Sequence, residues 1–414
     1  MKFNHPVEIP MSKDLTFEWI GERLLPFDYN MKGDTHPMTW ADDDNIYMGT
    51  GDPCWMMRDG KPYKAHKEFF WSETEETYQK MCGQAFEKLI GSPEFSGSFA
   101  IERVHDMPGY TGPGGLGPKP CGMICVDGKL YYAVQNLLGY KKPPNRATSQ
   151  HGSDATILCS EDYGKTWTPE LNSMFAEFVA EQHDSSFASR ANGVNWKTSE
   201  EERAGYKGWK PMFPGSRFGG LSFVQFGKNN SDAFDDYVYA ISTDQWDNGK
   251  NLMLGRVPKD KIMDRDSWEF AAVDFFTVDG IPNEPMWHKD IDEAKPILEI
   301  EGHIGLPEMV YIKSLKKYIL LTWGLHTDFR TPTGSELTIL ESDNIYGPFS
   351  LVHYDWMWYS RECCPYTPRL PLKWFNSETL EGFILHSGNW ETQEPYYRPQ
   401  IRKFKFTQRT DNCR

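Results

Sequence analysis

The sequence predicts an all-β protein, a single β-propeller, on two observations. Aromatic side chains make up 14% of its 414 residues, and 35 Gly and 28 Pro accompany them. This composition is typical of many short strands joined by tight turns. In addition, a pair of strand signals joined by a turn recurs along the chain. Radial repetition of small antiparallel sheets is the arrangement by which a β-propeller protects its strand edges.

Each repeat opens with a short apolar strand, and a turn residue then leads into an alternating strand rich in aromatic and β-branched side chains. Five pairs are recognisable, and their second strands begin at Asp44, Asp127, Asp235, Ser314 and Glu381. The gaps between the pairs are long. We therefore expect seven blades, with the two further blades near residues 60–110 and 260–300.

Two other stretches, 72–90 and 169–182, have the apolar periodicity of amphipathic helices and are expected as short insertions on a rim. The polar stretch 184–215 is expected as a long loop, and loops of that length are usually functional. No linker or shift in composition divides the chain. Residues 1–414 are therefore predicted to form one domain.

The segment Ser160–Trp167 matches the Asp-box pattern, S-x-D-x-G-x-T-W. In this pattern the Asp caps the turn, the Gly takes a positive φ and the Trp packs into the blade. Such boxes lie at the periphery of propeller blades. Asp162 is therefore predicted to be a structural residue and not a catalyst.

The net charge of −15 disfavours nucleic acid as a partner, because an acidic surface repels phosphate backbones. No apolar run approaches the roughly eighteen residues that a membrane helix needs. The eight Cys show no zinc-ligand spacing, and no cofactor is expected for the chemistry. The first residues show no apolar signal-peptide segment, and one glycosylation sequon begins at Asn229. We expect a monomer.

In a propeller, the loops that lead into the innermost strands open around the central axis. The residues just before these strands are mostly cations and imidazoles, although the protein as a whole is acidic. This local reversal of charge indicates an anionic ligand at the axis. The predicted ligand-binding residues are His36, Lys119, Arg217, His303, Arg361 and Tyr366.

His105 ends a strand before a Gly- and Pro-rich loop and is expected to face the same funnel, where imidazole is well suited to proton transfer. His151, before the Asp-box strand, is a weaker candidate. The carboxylates Asp42, Asp43 and Asp44 suit a glycosidase pair, a turn or a structural calcium site. Exposed Trp side chains such as Trp55, Trp356 and Trp358 would suit stacking on sugar rings, although most Trp in a propeller pack between blades.

Several blocks of the sequence together resemble the carbohydrate-active β-propellers, many of which are known only as domains of unknown function. The blocks are GDTHPMTWADDDNIYMGTGD, PCGMICVDGKLYY, the Asp-box strand, NLMLGRVPKDKIMDRDSWEF and LTILESDNIYGPFSLV. They spread from about residue 30 to 390. Within this group the chain is most similar to the seven-bladed L-rhamnose-α-1,4-D-glucuronate lyases that act on gum arabic.

This resemblance implies β-elimination, in which a base removes the C5 proton of glucuronate and the 4-O-linked L-rhamnose leaves, giving a 4,5-unsaturated uronate end. His105 is expected as the base, and Arg217 as the clamp on the uronate carboxylate. Tyr110, His151 or His105 itself would protonate the leaving oxygen. The expected partner is thus an acidic oligosaccharide or polysaccharide that contains glucuronate, and the expected location is extracellular.

Three other functions remain open on the same fold, and a protein-interaction propeller is the last of them in order. A glycoside hydrolase would give a saturated, hydrated product and would require an Asp or Glu pair. A non-catalytic sugar-binding propeller would retain its ligand without turnover. Elimination leads among these predictions because no carboxylate pair across the axis can be assigned from the sequence.

Overall fold

The structure is a computed structural model. It describes residues 1–24, 33–51, 55–58, 61–64, 82–94, 99–108, 118–138, 151–169, 212–215, 217–243, 245–272, 285–326, 334–389 and 396–409. The helical elements of this part are 3-10 turns at Pro6–Glu8, Lys228–Asn230, Arg265–Ser267, Ile291–Glu293 and Leu372–Trp374. The remaining regular structure is β-strand.

The strands are β1 (Lys2–Phe3), β2 (Leu15–Leu24), β3 (Met38–Trp40), β4 (Ile46–Gly51), β5 (Trp55–Arg58), β6 (Lys61–Lys64), β7 (Cys82–Ile90), β8 (Ala100–Pro108), β9 (Pro118–Val126), β10 (Lys129–Leu138), β11 (His151–Ser160), β12 (Gly220–Phe223), β13 (Tyr237–Thr243), β14 (Gly249–Pro258), β15 (Glu269–Ala271), β16 (Trp287–His288), β17 (Leu298–Ile304), β18 (Glu308–Ile312), β19 (Lys317–Leu325), β20 (Ser335–Ser342), β21 (Ser350–Asp355), β22 (Tyr366–Arg369), β23 (Glu381–Ser387) and β24 (Gln400–Gln408).

Five sheets of three or more strands follow one another along the described chain, and we number them as blades 1 to 5. Their strand orders are β3-β4-β7-β8, β9-β10-β11, β12-β13-β14-β17, β18-β19-β20-β21 and β22-β23-β24-β2. Strands β1, β15 and β16 extend blade 3, and β5 and β6 form a separate hairpin. In blades 1 to 4 the first strand in sequence begins the sheet and the meander runs outward from it, whereas in blade 5 the sheet begins at β22 and β2 is its outermost strand.

The strands are nearly continuous apolar runs because each blade is covered by a neighbour on both faces. All eight residues of β20 are buried, for example, as are all five of β18. Tight turns connect the strands: Asp127 and Gly128 both have positive φ, 50° and 76°, in the β9–β10 hairpin. An Asp-Gly pair suits this geometry because neither residue has a branched side chain that would clash there.

Separate apolar clusters fill the interfaces between neighbouring blades, and they close the ring. Blades 1 and 2 pack through Phe86 and Tyr132, and blades 5 and 1 through Leu385 and Met48. The other three interfaces are represented by Ile124 with Leu221, Ile241 with Leu320, and Ile319 with Ile384. Each blade therefore contacts the next, and the fifth returns to the first. The described residues form a closed β-propeller of five blades.

The prediction of a propeller is confirmed, but the expected number of seven blades is wrong for these residues. The segments expected to hold the two further blades instead supply strands to blades 1 and 3. Strand β7 pairs with β4 and β8 with β7, while β15 and β17 pair with β14 and β16 pairs with β15. The predicted helix 72–90 is also wrong over its second half, where Cys82–Ile90 is β7. Nearly all of the predicted helix 169–182 and most of the predicted loop 184–215 lie outside the described residues.

The Asp-box has the local role that its pattern predicts. The Asp162 carboxylate accepts hydrogen bonds from the backbone N–H of Thr166, at 2.9 Å, and from its hydroxyl, at 2.7 Å. Gly164 has a φ of 86°, and buried Trp167 packs against Phe86, with 4.6 Å between ring centroids. Asp162 therefore closes a turn at the edge of blade 2.

The N-terminal segment fastens three blades. Strand β1 pairs in parallel with β17 of blade 3, and the backbone at Met11 bridges to Leu351 of blade 4. Strand β2 then becomes the outermost strand of blade 5 by pairing with β24. Between these contacts, Ile9 is 2% exposed in the cluster between blades 3 and 4.

We expect Ile9→Ala to lower the free energy of unfolding by about 2–4 kcal/mol, because it leaves a cavity between two blades. Val7→Ala is the matched control, since Val7 is 58% exposed and its truncation is expected to change stability by less than about 0.5 kcal/mol. Urea denaturation of the two variants checks this. Equal stability of the two would show that the N-terminal segment does not hold these blades.

Candidate active site

The first strands of the blades converge at one end of the propeller axis. The Cβ that a side chain at Gly122 in β9 would carry lies 2.7 Å from the carbonyl oxygen of Leu221 in β12, so these strands approach closely. Beyond β12, Gln225 forms a parallel bridge with Val310 of β18. We call the end of the axis where these strands begin the axial mouth, and its described residues include Asp34, Thr35, His36, Lys119 and Tyr366.

Arg369 lies on the axis just inside the mouth and contacts three other blades. Its guanidinium donates to the carbonyl of Thr35 at 3.0 Å and to that of Cys121 at 3.4 Å. It also forms an ion pair with Glu308 of blade 4 at 3.3 Å. Burial raises the pKa of Glu308, and the Arg369 charge opposes that rise. The pair is buried, so one side chain links the inner ends of blades 1, 2, 4 and 5.

The backbone is strained where blades 1 and 5 begin. Thr35 has a φ of 62°, His36 of 38° and Thr367 of 49°. Positive φ is unfavourable for non-glycine residues and most unfavourable for a β-branched one such as Thr. The hydroxyl of Ser387 stabilises both sites, since it accepts from the Thr35 N–H at 3.0 Å and lies 3.0 Å from Thr367 Oγ1. Strain of this kind is concentrated at functional sites.

The strained turn holds the carboxylate of Asp34 at the mouth. Its Oδ2 accepts hydrogen bonds from the phenols of Tyr366, at 2.9 Å, and Tyr397, at 3.3 Å. Its backbone makes two hydrogen bonds of 2.9 Å with Gly51. A Cβ at Gly51 would lie 2.9 Å from both Asp34 Oδ1 and the ring of Pro120. Glycine at this position therefore lets the carboxylate approach the start of β9, next to Lys119.

Aromatic side chains form one wall of the mouth. The ring of Tyr366 lies 5.5 Å from that of Trp246 and 5.6 Å from that of Trp323, centroid to centroid. Asn248 fixes the loop that carries Trp246, because its amide makes hydrogen bonds of 2.7 and 2.8 Å with the backbone of Leu325. Between these two residues lies Asp247, whose side chain is buried. The wall thus consists of packed aromatic rings, with a buried aspartate next to Trp246 in the sequence.

His36 is a neutral imidazole at physiological pH. Burial lowers its pKa to about 3, and the nearby Arg369 charge acts in the same direction. Its Nδ1 lies 3.3 Å from the hydroxyl of Thr50, which donates to Glu87 at 2.8 Å. Such a weakly basic imidazole is a poor proton acceptor at neutral pH.

A second buried cluster lies at the same end of the molecule, between blades 3 and 4. Glu336 pairs with His303 through Oε1, lies 3.7 Å from His326 Nε2 and accepts from the Tyr354 hydroxyl at 2.8 Å. Burial alone would raise the pKa of Glu336, but these donors lower it to about 2. The carboxylate is therefore ionised and bound by His303 and Tyr354, with the His326 ring beside it.

The structure brings together three of the residues predicted for the site and separates the others. His36, Lys119 and Tyr366 lie at the mouth, as expected from their positions before inner strands. His303 belongs to the outer cluster of Glu336. Arg361 is exposed on the loop before β22. The proposed carboxylate clamp, Arg217, instead points outward, where it contacts the carbonyl of Ala294 at 3.2 Å and the carboxylate of Asp292 at 3.4 Å.

The expected position of His105 at the funnel is wrong. It lies on β8, the fourth and outermost strand of blade 1, with its ring 6.5 Å from that of Phe86. The error has a topological cause: β7 and β8 complete blade 1, whereas the sequence suggested a separate blade there. His151 opens β11, the strand of blade 2 farthest from the axis among those described, and Tyr110 lies outside the described residues.

Sequence reasoning missed Asp34, Asp247 and Arg369. Asp34 follows Gly33 and comes two residues before the imidazole that was chosen, so its turn composition was the available signal. Arg369 lies within an inner strand, where the sequence pattern predicts apolar core residues and gives no indication of a charged group. The acidic turn residues Asp42, Asp43 and Asp44 lie at the opposite end of blade 1. There Asp44 accepts from Trp40 at 2.9 Å and pairs with Lys228 and Lys373.

Within the described residues, no group of three or more His, Cys, Asp or Glu side chains has the arrangement of a metal site. The same part of the chain contains no helix long and apolar enough to span a membrane. Structural calcium stays a prediction.

No protein-family model and no curated protein matches the sequence. Among solved structures, the chain is similar to the α-L-arabinofuranosidase PaAbf62A from Podospora anserina, with 9% identity, a TM-score of 0.40 and coverage of 96% of this chain and 98% of that one. A β-xylosidase/α-arabinofuranosidase from a compost metagenome has 11% identity, a TM-score of 0.43 and 96% coverage of both chains. A protein of unknown function from Dyadobacter fermentans has 10% identity, a TM-score of 0.45 and coverage of 95% and 100%. At such values these similarities carry no argument about activity, and the propeller assignment comes from the sheets themselves.

Replacing Arg369 by Met should lower the free energy of unfolding by about 3–5 kcal/mol, because it leaves the Glu308 carboxylate buried without its partner. Arg361→Met, at an exposed arginine a few residues earlier, should change it by less than about 0.5 kcal/mol. Chemical denaturation of both variants measures the difference. A loss no larger for Arg369→Met than for Arg361→Met would rule out a structural role for the axial ion pair.

Stability should fall as the pH is lowered from 6.5 towards 3. Burial lowers the pKa of both His36 and His386 from 6.5 to about 3, so between these values the unfolded chain binds protons that the folded chain does not. Each imidazole then removes up to about 1.4 kcal/mol of unfolding free energy per pH unit. His386→Gln should reduce that slope by about this amount, whereas His288→Gln, at an exposed position, should leave it unchanged. Urea titrations at pH 6.5, 5.5 and 4.5 measure it, and an unaltered slope in His386→Gln would contradict the assignment.

Proposed function

We propose that this protein is a carbohydrate-active enzyme that hydrolyses a glycosidic bond at the axial mouth of the propeller, with Asp34 as a catalytic carboxylate. The observation that carries the proposal is the placement of this carboxylate. It stands at the mouth on a strained turn and is held by two phenols from blade 5. The buried rings of Tyr366 and Trp246 pack behind this carboxylate, and ligand sites of this kind combine apolar lining with a few placed polar groups.

Glycoside hydrolysis needs two carboxyl groups, one that activates water or attacks the sugar and one that protonates the leaving oxygen. Asp34 is proposed for the first role. Asp247 is the proposed partner, because it follows Trp246, whose ring packs against the tyrosine that binds Asp34. Asp34 thus binds the hydroxyl of the tyrosine against which Trp246 packs, and Asp247 is the residue that follows Trp246.

Elimination from a glucuronate is the second candidate, and the observation that favours it is the buried Lys119 at the mouth. An ammonium group there would neutralise the uronate carboxylate and acidify the C5 proton. Two features count against it: the base first expected, His105, is remote from the axis, and the Asp34 carboxylate would repel a uronate. The particular substrate, L-rhamnose linked to glucuronate as in gum arabic, belongs to this second candidate, and the extracellular location stays a prediction.

We expect Asp34→Asn to reduce turnover of a susceptible oligosaccharide by about 10²–10⁴-fold, because the amide can neither accept a proton nor attack carbon. Asp44→Asn is the matched control, since Asp44 belongs to the same blade but lies at the opposite end of the propeller, and it should retain full activity. The assay incubates the wild type and both variants with neutral oligosaccharides and with rhamnose-capped glucuronate oligosaccharide. It records new reducing ends, product mass and ultraviolet absorbance.

Hydrolysis predicts products that gain the mass of water and no new absorbance. An absorbing unsaturated uronate would instead establish elimination. Full activity of Asp34→Asn would show that the axial mouth is not the catalytic centre. Binding of sugar without product would indicate a lectin.

A further inference from the structure

We infer that Trp356 is the stacking surface of an outer saccharide subsite, which binds a neutral pyranose unit of the chain whose scissile bond lies at the axial mouth. This inference rests on the proposed function. Trp356 follows β21 and begins the loop that crosses from the outer edge of blade 4 to the inner strand of blade 5. That loop ends at Tyr366, which binds Asp34.

The indole of Trp356 is 50% exposed, and its contact with the protein is one-sided. One face lies on the imidazole of His326, with 4.2 Å between ring centroids and 19° between ring planes. A half-exposed indole stacked on another ring keeps its other face towards solvent. Flat, rigid aromatic faces of this kind supply large contact area at low cost in conformational entropy.

The imidazole of His326, which supports this indole, lies beside the buried carboxylate of Glu336. His326 Nε2 lies 3.7 Å from the carboxylate of Glu336, which also pairs with His303 and accepts from Tyr354. The backbone N–H of His326 donates to the carbonyl of Gly334 at 3.0 Å. The backbone of His326 is thus fixed by a hydrogen bond, and its buried ring supports the indole from one side. His303 and Glu336 act here as positioning residues.

We call Trp356 together with the supporting ring of His326 the platform. The platform lies radially outward from the mouth along blade 4. Trp323, on β19, packs against Tyr366 at the mouth, and His326 follows three residues later at the end of the same strand. Tyr366 and Trp323 are thus in contact at the mouth, and the strand that carries Trp323 leads to His326, on which Trp356 is stacked. A saccharide bound at Asp34 that extends over blade 4 would reach the indole with a unit beyond the scissile bond.

The chemistry of the platform selects the ligand. A pyranose ring has an axial C–H face that is apolar, and this face stacks on aromatic rings, whereas its hydroxyls remain in water.

Another exposed aromatic, Phe234, serves as a control: it is 67% exposed and packs edge-on against Tyr311, with 4.7 Å between centroids. It lies by the β12–β13 turn, at the opposite end of blade 3 from the mouth.

The test measures binding in the Asp34→Asn background, where ligand stays intact. Xylo- and cello-oligosaccharides of two and six units are titrated calorimetrically into Asp34→Asn and into this variant carrying either Trp356→Ala or Phe234→Ala. We expect Trp356→Ala to weaken binding of a six-unit ligand about tenfold and to leave a two-unit ligand unaffected. Phe234→Ala should change neither. In wild-type protein, the six-unit ligand should also slow hydroxyl-radical oxidation of Trp356, as measured by mass spectrometry.

The outcomes separate this inference from the proposed function. If Asp34→Asn binds the six-unit ligand equally well with and without Trp356, the proposed Trp356 subsite is wrong, and the proposed catalytic site at the axial mouth is unaffected. If the ligand protects Trp356 although the wild type cleaves none of the sugars offered, the platform stands and the enzymatic proposal falls. If the ligands neither bind nor protect Trp356, the platform is overturned for neutral sugars.

Discussion

The ion pair of Arg369 and Glu308 on the propeller axis is the contact on which the arrangement of the inner strands depends. A propeller brings the first strand of every blade to its axis, where backbone carbonyls converge with few donors to satisfy them. The guanidinium supplies several donors in a fixed plane, so one side chain meets carbonyls of Thr35, Cys121 and Pro307. The charge that this requires is neutralised by Glu308. Such a buried pair specifies the centre of the ring more than it stabilises it.

The candidate site is built on the same contact. Arg369 holds the carbonyl of Thr35, and the strained backbone at Thr35 and His36 turns the preceding carboxylate, Asp34, towards the mouth. Phenols of blade 5 complete its position. The site therefore belongs to no single blade: blade 1 supplies the carboxylate, blade 5 the phenols, and blade 3 a tryptophan that packs against one of them. Closure of the ring, with the N-terminal segment as its fastening, is what assembles these groups.

The repeats allowed the fold class to be predicted, because alternating strands and tight turns are local in sequence. Asp-Gly at 127–128 and the Asp-box at 160–167 both have the conformation their residues prefer. The number of blades could not be predicted in this way, because it depends on which strands pair with each other. Strands β7 and β8 differ from inner strands only in what they pair with, and amphipathic periodicity over 72–90 suggested a helix where the protein forms β7. The displacement of His105 from the expected funnel follows from that single difference in pairing.

The sequence by itself determined that the chain forms a propeller of apolar strands, that the Asp-box is structural, and that His36, Lys119 and Tyr366 stand before inner strands. These properties depend on residue type and on spacing along the chain. The tertiary structure alone decided that the five recognisable strand pairs account for all the blades of the described chain, that Arg217 points outward, and that Asp34 meets Tyr366 and Tyr397 more than 330 residues away. Contacts at such separations arise only when the ring closes, because the first and last blades become neighbours through packing that no local pattern encodes.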